Sequence, residues 1–181
     1  MSRHNHRTMQ QQSANQVRLI QSAVLCALGI TVTVAAISLK GQSDPAEPTR
    51  ACDLHFSNGY TLAGVPVAET VAQHTKGLSK RNDVGPGMLF TWPEPEPRIF
   101  WMRDTWIPLT IGFFDGDGRL FAIEDMQPNT DDHHASVHPA ADALELPQGD
   151  FQRYGLQEGV RLTGRTCWLL DNEAMRKLEA E

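Results

Sequence analysis

Residues 51–68 read ACDLHFSNGYTLAGVPVA, and this stretch decides the fold class. Apolar side chains alternate with polar ones from Ala51 to Ser57. Asn58-Gly59 then supplies the backbone freedom of a tight two-residue hairpin, and Tyr60–Ala68 returns as a second strand. Working outward, the same grammar repeats. Residues 99–102 (IFWM) and 109–114 (LTIGFF) read as strands, and Asp115-Gly116-Asp117-Gly118 turns the latter into residues 119–125 (RLFAIED). Residues 143–146 (ALEL) form another, and GVRLTGRTCWLL is the last. A short helix is expected from Glu69 to Leu78 with Thr70 as its cap, and one helical turn within PQGDFQRYGL. The prolines of TWPEPEPR exclude helix and central strand, so this segment and the polar residues 127–140 are read as loops. The fold class is therefore mainly β with one or two short helices, a small closed or partly open β-barrel-like domain.

Toward the N-terminus the pattern changes. Leu19–Leu39 is apolar apart from small polar interruptions, and Ala23–Leu39 carries no charge. As a helix, this length spans about 31 Å, which suits a hydrocarbon core of about 30 Å. Arg3, Arg7 and Arg18 precede it, whereas Asp44 and Glu47 follow. The positive-inside bias puts residues 1–18 in the cytoplasm, residues 19–39 across the membrane as one transmembrane helix, and the domain beyond it, in the periplasm or extracytoplasmic space. A retained anchor is the preferred reading. Secretion after signal cleavage, with Ala36 and Ser38 as the small residues at the cleavage site, is the alternative. Residues 40–50, rich in proline and polar side chains, form a linker. Residues 51–170 make the exported domain, and 171–181 a surface tail capped by Asp171.

The charge split excludes one class of function. All 22 Asp and Glu of the 181-residue chain lie after residue 40, against 12 Lys and Arg there, a net charge of −10. A domain so acidic, with no basic stripe, is not a nucleic-acid binder. Four Trp and seven Phe are enough to fill a core.

Several motifs bear on chemistry. In Phe100-Trp101-Met102-Arg103-Asp104-Thr105-Trp106, large apolar residues alternate with charge. Read structurally, Phe100 and Met102 enter the core while Arg103 and Asp104 pair locally. Read functionally, Trp101 and Trp106 form an aromatic platform, and Arg103 and Asp104 orient a polar ligand. Arg81 is a further candidate for this site. His134 and His138 have the i,i+4 spacing of metal ligands, but Pro128 and Pro139 flank them and favour a solvated loop, so no metal is expected. Asp115–Gly118 lacks the distant ligands of a calcium loop and is read as a turn. Cys52 and Cys167 lie in the first and last strands, and outside the cytoplasm they are expected to form a disulfide. No nucleophile elbow, phosphate loop, dinucleotide fingerprint or zinc-protease motif occurs, and no cofactor is expected. Asp104, Asp142 and Glu145 cannot be paired for acid–base work from sequence alone.

The strings Thr75–Arg81, Gly87–Phe90, Phe100–Thr105, Ile107–Leu109, Phe114-Asp115 and Leu144–Pro147 occur in an order and spacing that resemble the domain of unknown function 192 family. The likeness covers about residues 54–162. It implies a small, mainly β, barrel-like bacterial or archaeal domain, often behind an export signal, with no established activity. Two positions depart from the family pattern: Asp104 stands where Asn is usual, and Thr110 where Asp is frequent. The function expected first is a non-enzymatic envelope module that binds a small polar ligand or a partner protein segment. A hydrolytic or group-transfer enzyme using Asp104 and Arg103 is second, and a purely structural module third.

Overall fold

The computed structural model describes residues 44–170, which fold into a mainly β domain with two short helices. The strands are β1 (Arg50–Phe56), β2 (Thr61–Ala68), β3 (Met88–Glu96), β4 (Ile99–Phe100), β5 (Leu109–Phe114), β6 (Leu120–Met126), β7 (His134–Ala135), β8 (Ala140–Pro147) and β9 (Leu162–Leu169). Helix α1 is Val71–Lys76 and α2 is Asp150–Arg153. Seven strands join in one sheet in the order β6-β5-β8-β3-β2-β1-β9, and β4 pairs with β7 separately. The expected transmembrane segment and the C-terminal tail lie outside the described residues. No helix among those described is long and apolar enough to cross a membrane.

The sheet is open, which rules out the closed form among the closed or partly open arrangements expected. Strand β9 pairs with β1, and β6 with β5. Between these two edges there is one isolated bridge, Arg119 to Arg161. The chain between β8 and β9 is taken up by α2 and its following turns, so β9 reaches β6 only at its approach.

The hairpin at Asn58-Gly59 forms with a three-residue loop rather than two. Tyr60 accepts from the Phe56 N–H, Gly59 sits at φ 85°, and the Asn58 side chain accepts from Tyr60 N–H while donating to the carbonyls of Tyr154 and Gly155. Helix α1 is shorter than expected, but Thr70 caps it. Its hydroxyl accepts from Gln73 N–H, and the Gln73 side chain accepts from the Glu69 and Thr70 N–H groups, a reciprocal capping box.

Three boundaries differ from the sequence reading. Strand β3 runs on through Pro93 and Pro95, because its ladder with β8 is interrupted between Thr91 and Glu96, where no proline N–H is needed. The strand expected over residues 99–102 stops at Phe100. The chain then turns through Asp104 at φ 55°, a left-handed conformation that Asn and Asp tolerate best. The loop 127–140 contains β7, in which His134 is buried with its Nδ1 2.7 Å from Glu124, and Ser136 is fully buried beside it. The two-residue strand excludes the helical spacing that a His134–His138 metal site would need. Among the described residues no His, Cys, Asp and Glu cluster could hold a metal. Asp115–Gly118 is a turn: the Asp115 carboxylate accepts from the Asp117 and Arg119 N–H groups.

Strands β3, β5 and β8 are covered on both faces, and all six residues of β5 are buried. Alternation along them therefore feeds two cores. Leu89, Phe114, Leu144 and Leu146 face a cluster with Leu54, Phe56, Val65 and Phe151. Met88, Phe90, Ile111, Phe113 and Ala143 face another with Leu78, Met102 and Met126. Cys52 and Cys167 stand opposite each other in the β1–β9 ladder and form a disulfide.

Candidate functional site

A cleft of about 550 Å³ opens into the second core between α1 with its following turn and the segment 99–105. The two walls are tied where the Lys80 N–H donates to the Asp104 carbonyl at 2.7 Å. The turn leaving α1 is held by Ser79, whose hydroxyl donates to the Lys76 carbonyl. The opposite wall is fastened from behind, with the Met102 N–H donating to Thr130 and the Asn129 N–H to Thr105.

Aromatic rings line much of the cleft. Phe100 meets Phe90 edge to face at 5.0 Å and Trp92 at 6.2 Å, and the His74 ring lies 4.7 Å from Trp92. His74 Nε2 is 3.0 Å from the Ala68 carbonyl, and burial lowers its pKa, so the ring is neutral and donates there.

Glu145 forms part of the floor. It lies on β8 opposite Met88 of β3 and Ile111 of β5, so paired neighbours on the same face are apolar. Only 4% of the residue is exposed, and burial alone pushes its carboxyl up to about 8. At neutral pH it is therefore mostly protonated. Gly87 makes this close packing feasible: at φ 86° it passes β8 so closely that a Cβ would lie 2.0 Å from the Glu145 carbonyl oxygen.

Charged side chains at the cleft rim are paired. Lys76 bridges Asp44 and Glu47, and although burial opposes it, these two partners raise its pKa. Lys80 lies 3.7 Å from Asp104, and Arg103 donates to Asp131 at 2.7 Å.

Of the five residues proposed from sequence, Trp101, Arg103 and Asp104 line the cleft. Arg81 turns instead to Glu47, and Trp106 is about half exposed without lining the cleft. Phe100 is half-buried and Met102 fully buried, so the inward-facing half of that motif is where the apolar pattern put it. Asp142, a third carboxylate left open by the sequence, is buried elsewhere against Arg165. Sequence reasoning missed Glu145 as a site residue. Between Leu144 and Leu146 it looks like the solvent-facing member of an alternating strand. Only the covering of both faces of β8 reveals its burial.

The DUF192 family, described as uncharacterized ACR, matches residues 55–164. The chain belongs to this family. Two solved structures are similar to it. A candidate transcription regulator from Sinorhizobium meliloti 1021 is 29% identical, covers 70% of this chain and 98% of its own, and superposes with a TM-score of 0.59. A protein of unknown function from Novosphingobium aromaticivorans DSM 12444 is 27% identical, covers 67% and 97%, and gives 0.56. No curated protein matches the chain.

Four of the six strings that carry the DUF192 likeness reach the cleft. Thr75–Lys80 forms one wall, Phe100, Trp101 and Arg103–Thr105 the other, and Phe90 and Glu145 reach it from β3 and β8. Both departures from the family pattern have local explanations. Asp104 occupies a left-handed position that Asn also suits. Thr110 is buried away from the cleft, with its hydroxyl donating to Asp125.

Proposed function

We propose that this DUF192 domain is a non-enzymatic binding module of the cell envelope and that the cleft above Glu145 takes a small polar ligand. One observation carries the reading: a carboxyl that is buried and has no charged or hydrogen-bonding partner among the described residues forms part of the floor of an aromatic cleft. Buried polar groups are normally satisfied, and a ligand would satisfy this one. A purely structural role leaves both cleft and acid unaccounted for. The envelope location rests on the basic N-terminus, the apolar run 19–39 and the Cys52–Cys167 bond, which suits an oxidising compartment.

The enzymatic reading keeps one specific support. An acid whose pKa is near 8 is suited to proton transfer, so any catalysis would centre on Glu145. Asp104 is exposed and paired with Lys80. A thermal-shift screen of the full chain against a metabolite library tests the proposal. Hits lost in both Glu145→Gln and Trp101→Ala support it, and hits retained by both variants place binding elsewhere. Turnover of a hit that vanishes in Glu145→Gln would replace the binding reading with the enzymatic one.

A further inference from the structure

The charges around the cleft are unequal in one respect. Lys76, Lys80 and Arg103 each have a carboxylate partner, and so do Asp44 and Asp104 among these same pairs. Among the described residues Glu145 has neither a basic partner nor a hydrogen-bonding one, and it lies in the cleft floor. The ionised form of Glu145 would thus take its positive partner from a ligand. The walls add a second, independent preference. Phe90, Trp92, Phe100 and Trp101 give the cleft several aromatic rings, and aromatic faces attract organic cations more strongly once these are desolvated. Trp92 already takes part in one such contact, with the Arg98 guanidinium 4.3 Å from its ring centre.

Resting on the reading of the cleft as a binding site, we propose that its ligand is a small organic ammonium ion, whose positive group pairs with the Glu145 carboxylate within the aromatic lining. An anion would meet a group that is either neutral or negative. A neutral acceptor could take the acid's proton in a hydrogen bond but would leave the aromatic lining without a role.

The pairing requires Glu145 to ionise. The carboxylic acid gives its proton to solvent, and the carboxylate then faces the bound cation, so one proton leaves for each ligand that enters. The other titratable groups of the cleft do not drive this step. His74 is held neutral by burial against Ala68, Lys76 and Lys80 keep their carboxylate partners, Arg103 keeps Asp131, and Asp44 and Asp104 are already paired. Ammonium binding therefore strengthens with pH, by about tenfold per pH unit below the Glu145 midpoint, and levels off above about 8.

Titration calorimetry of the full chain from pH 6 to 9 tests this with three probes: choline, n-butylammonium, and 3,3-dimethyl-1-butanol as the uncharged isostere of choline. The expected result is binding of at least one ammonium, at least about tenfold tighter than the isostere. Its affinity rises to about pH 8, with release of close to one proton near pH 6.5. Glu145→Gln should lower that affinity at least about tenfold and flatten its pH dependence. An isostere that binds as well as choline, an ammonium affinity that does not rise between pH 6 and 8, or no ammonium binding overturns the inference. The wild-type pH profile decides the matter even if the variant fails to fold. Neutral or anionic screening hits abolished by Trp101→Ala would leave the binding reading standing without the cation. A screen with no hits would remove both.

Discussion

Two apolar clusters lie on opposite faces of β3, β5 and β8, built from alternate residues of the same strands, yet they are closed differently. The first is covered by β1, β2 and the turns around α2; Asp142 is buried on the β8 face of Leu144 and Leu146 and paired with Arg165, and a smaller cleft of about 410 Å³ reaches Phe151 and Leu156. A covalent bond between Cys52 and Cys167 fixes its outer edge. The second is covered by short α1 and by the irregular segment 99–105. A cleft enters it and an acid lies within it. The two faces thus differ in their buried acids: Asp142 on the first is paired with Arg165, whereas Glu145 on the second has no partner among the described residues. A carboxyl buried among apolar neighbours costs free energy unless something pairs with it.

The largest expected effect breaks the disulfide-bonded side. Reducing the disulfide, or replacing it in Cys52→Ser/Cys167→Ser, opens a loop spanning 115 positions. In the chain-entropy model this costs about 4–5 kcal/mol. Urea unfolding should show a much lower midpoint with the cleft unaltered in the folded fraction. An unchanged midpoint would mean that the first cluster alone secures that edge.

A smaller effect sharpens the contrast on the open side. Folded Glu145 keeps its proton to about pH 8, whereas its ordinary value is 4.5. Its contribution to stability is fully present below pH 4.5 and is lost as pH rises toward 8, by about 1.4 kcal/mol per pH unit. Glu145→Gln cannot ionise. The variant should therefore gain stability relative to wild type steadily from pH 5 to 8, as read from parallel urea titrations. A difference that stays constant with pH would contradict the burial account.

The smallest effect concerns the rim. Arg103 and Asp131 are paired but well exposed, and such pairs contribute little. Arg103→Ala should leave the melting temperature unchanged within error. A clear drop would show that the 99–105 wall depends on this pair.

The sequence made the β architecture legible where local chemistry decided it. Asn58-Gly59 announced a hairpin, Thr70 a helix start, and Asp115–Gly118 a turn. It misled where distant packing decided. Pro93 and Pro95 extend β3 because the β8 ladder lapses beside them, a fact set by a strand more than forty residues away. The same holds for the site. Trp101, Arg103 and Asp104 stood out through their local pattern and do line the cleft, whereas Arg81 is drawn off by Glu47, from a segment read only as linker. Glu145 was invisible because alternation gives the same pattern for one covered face as for two.

The most direct test of the central claim follows the side-chain carboxyl carbon of Glu145 by NMR across pH, assigned by its disappearance in Glu145→Gln. A midpoint near pH 8 is expected in the free protein. A midpoint close to the ordinary 4.5 would show that the carboxyl is solvated or paired, and would contradict the reading of the cleft floor as a buried acid awaiting a partner.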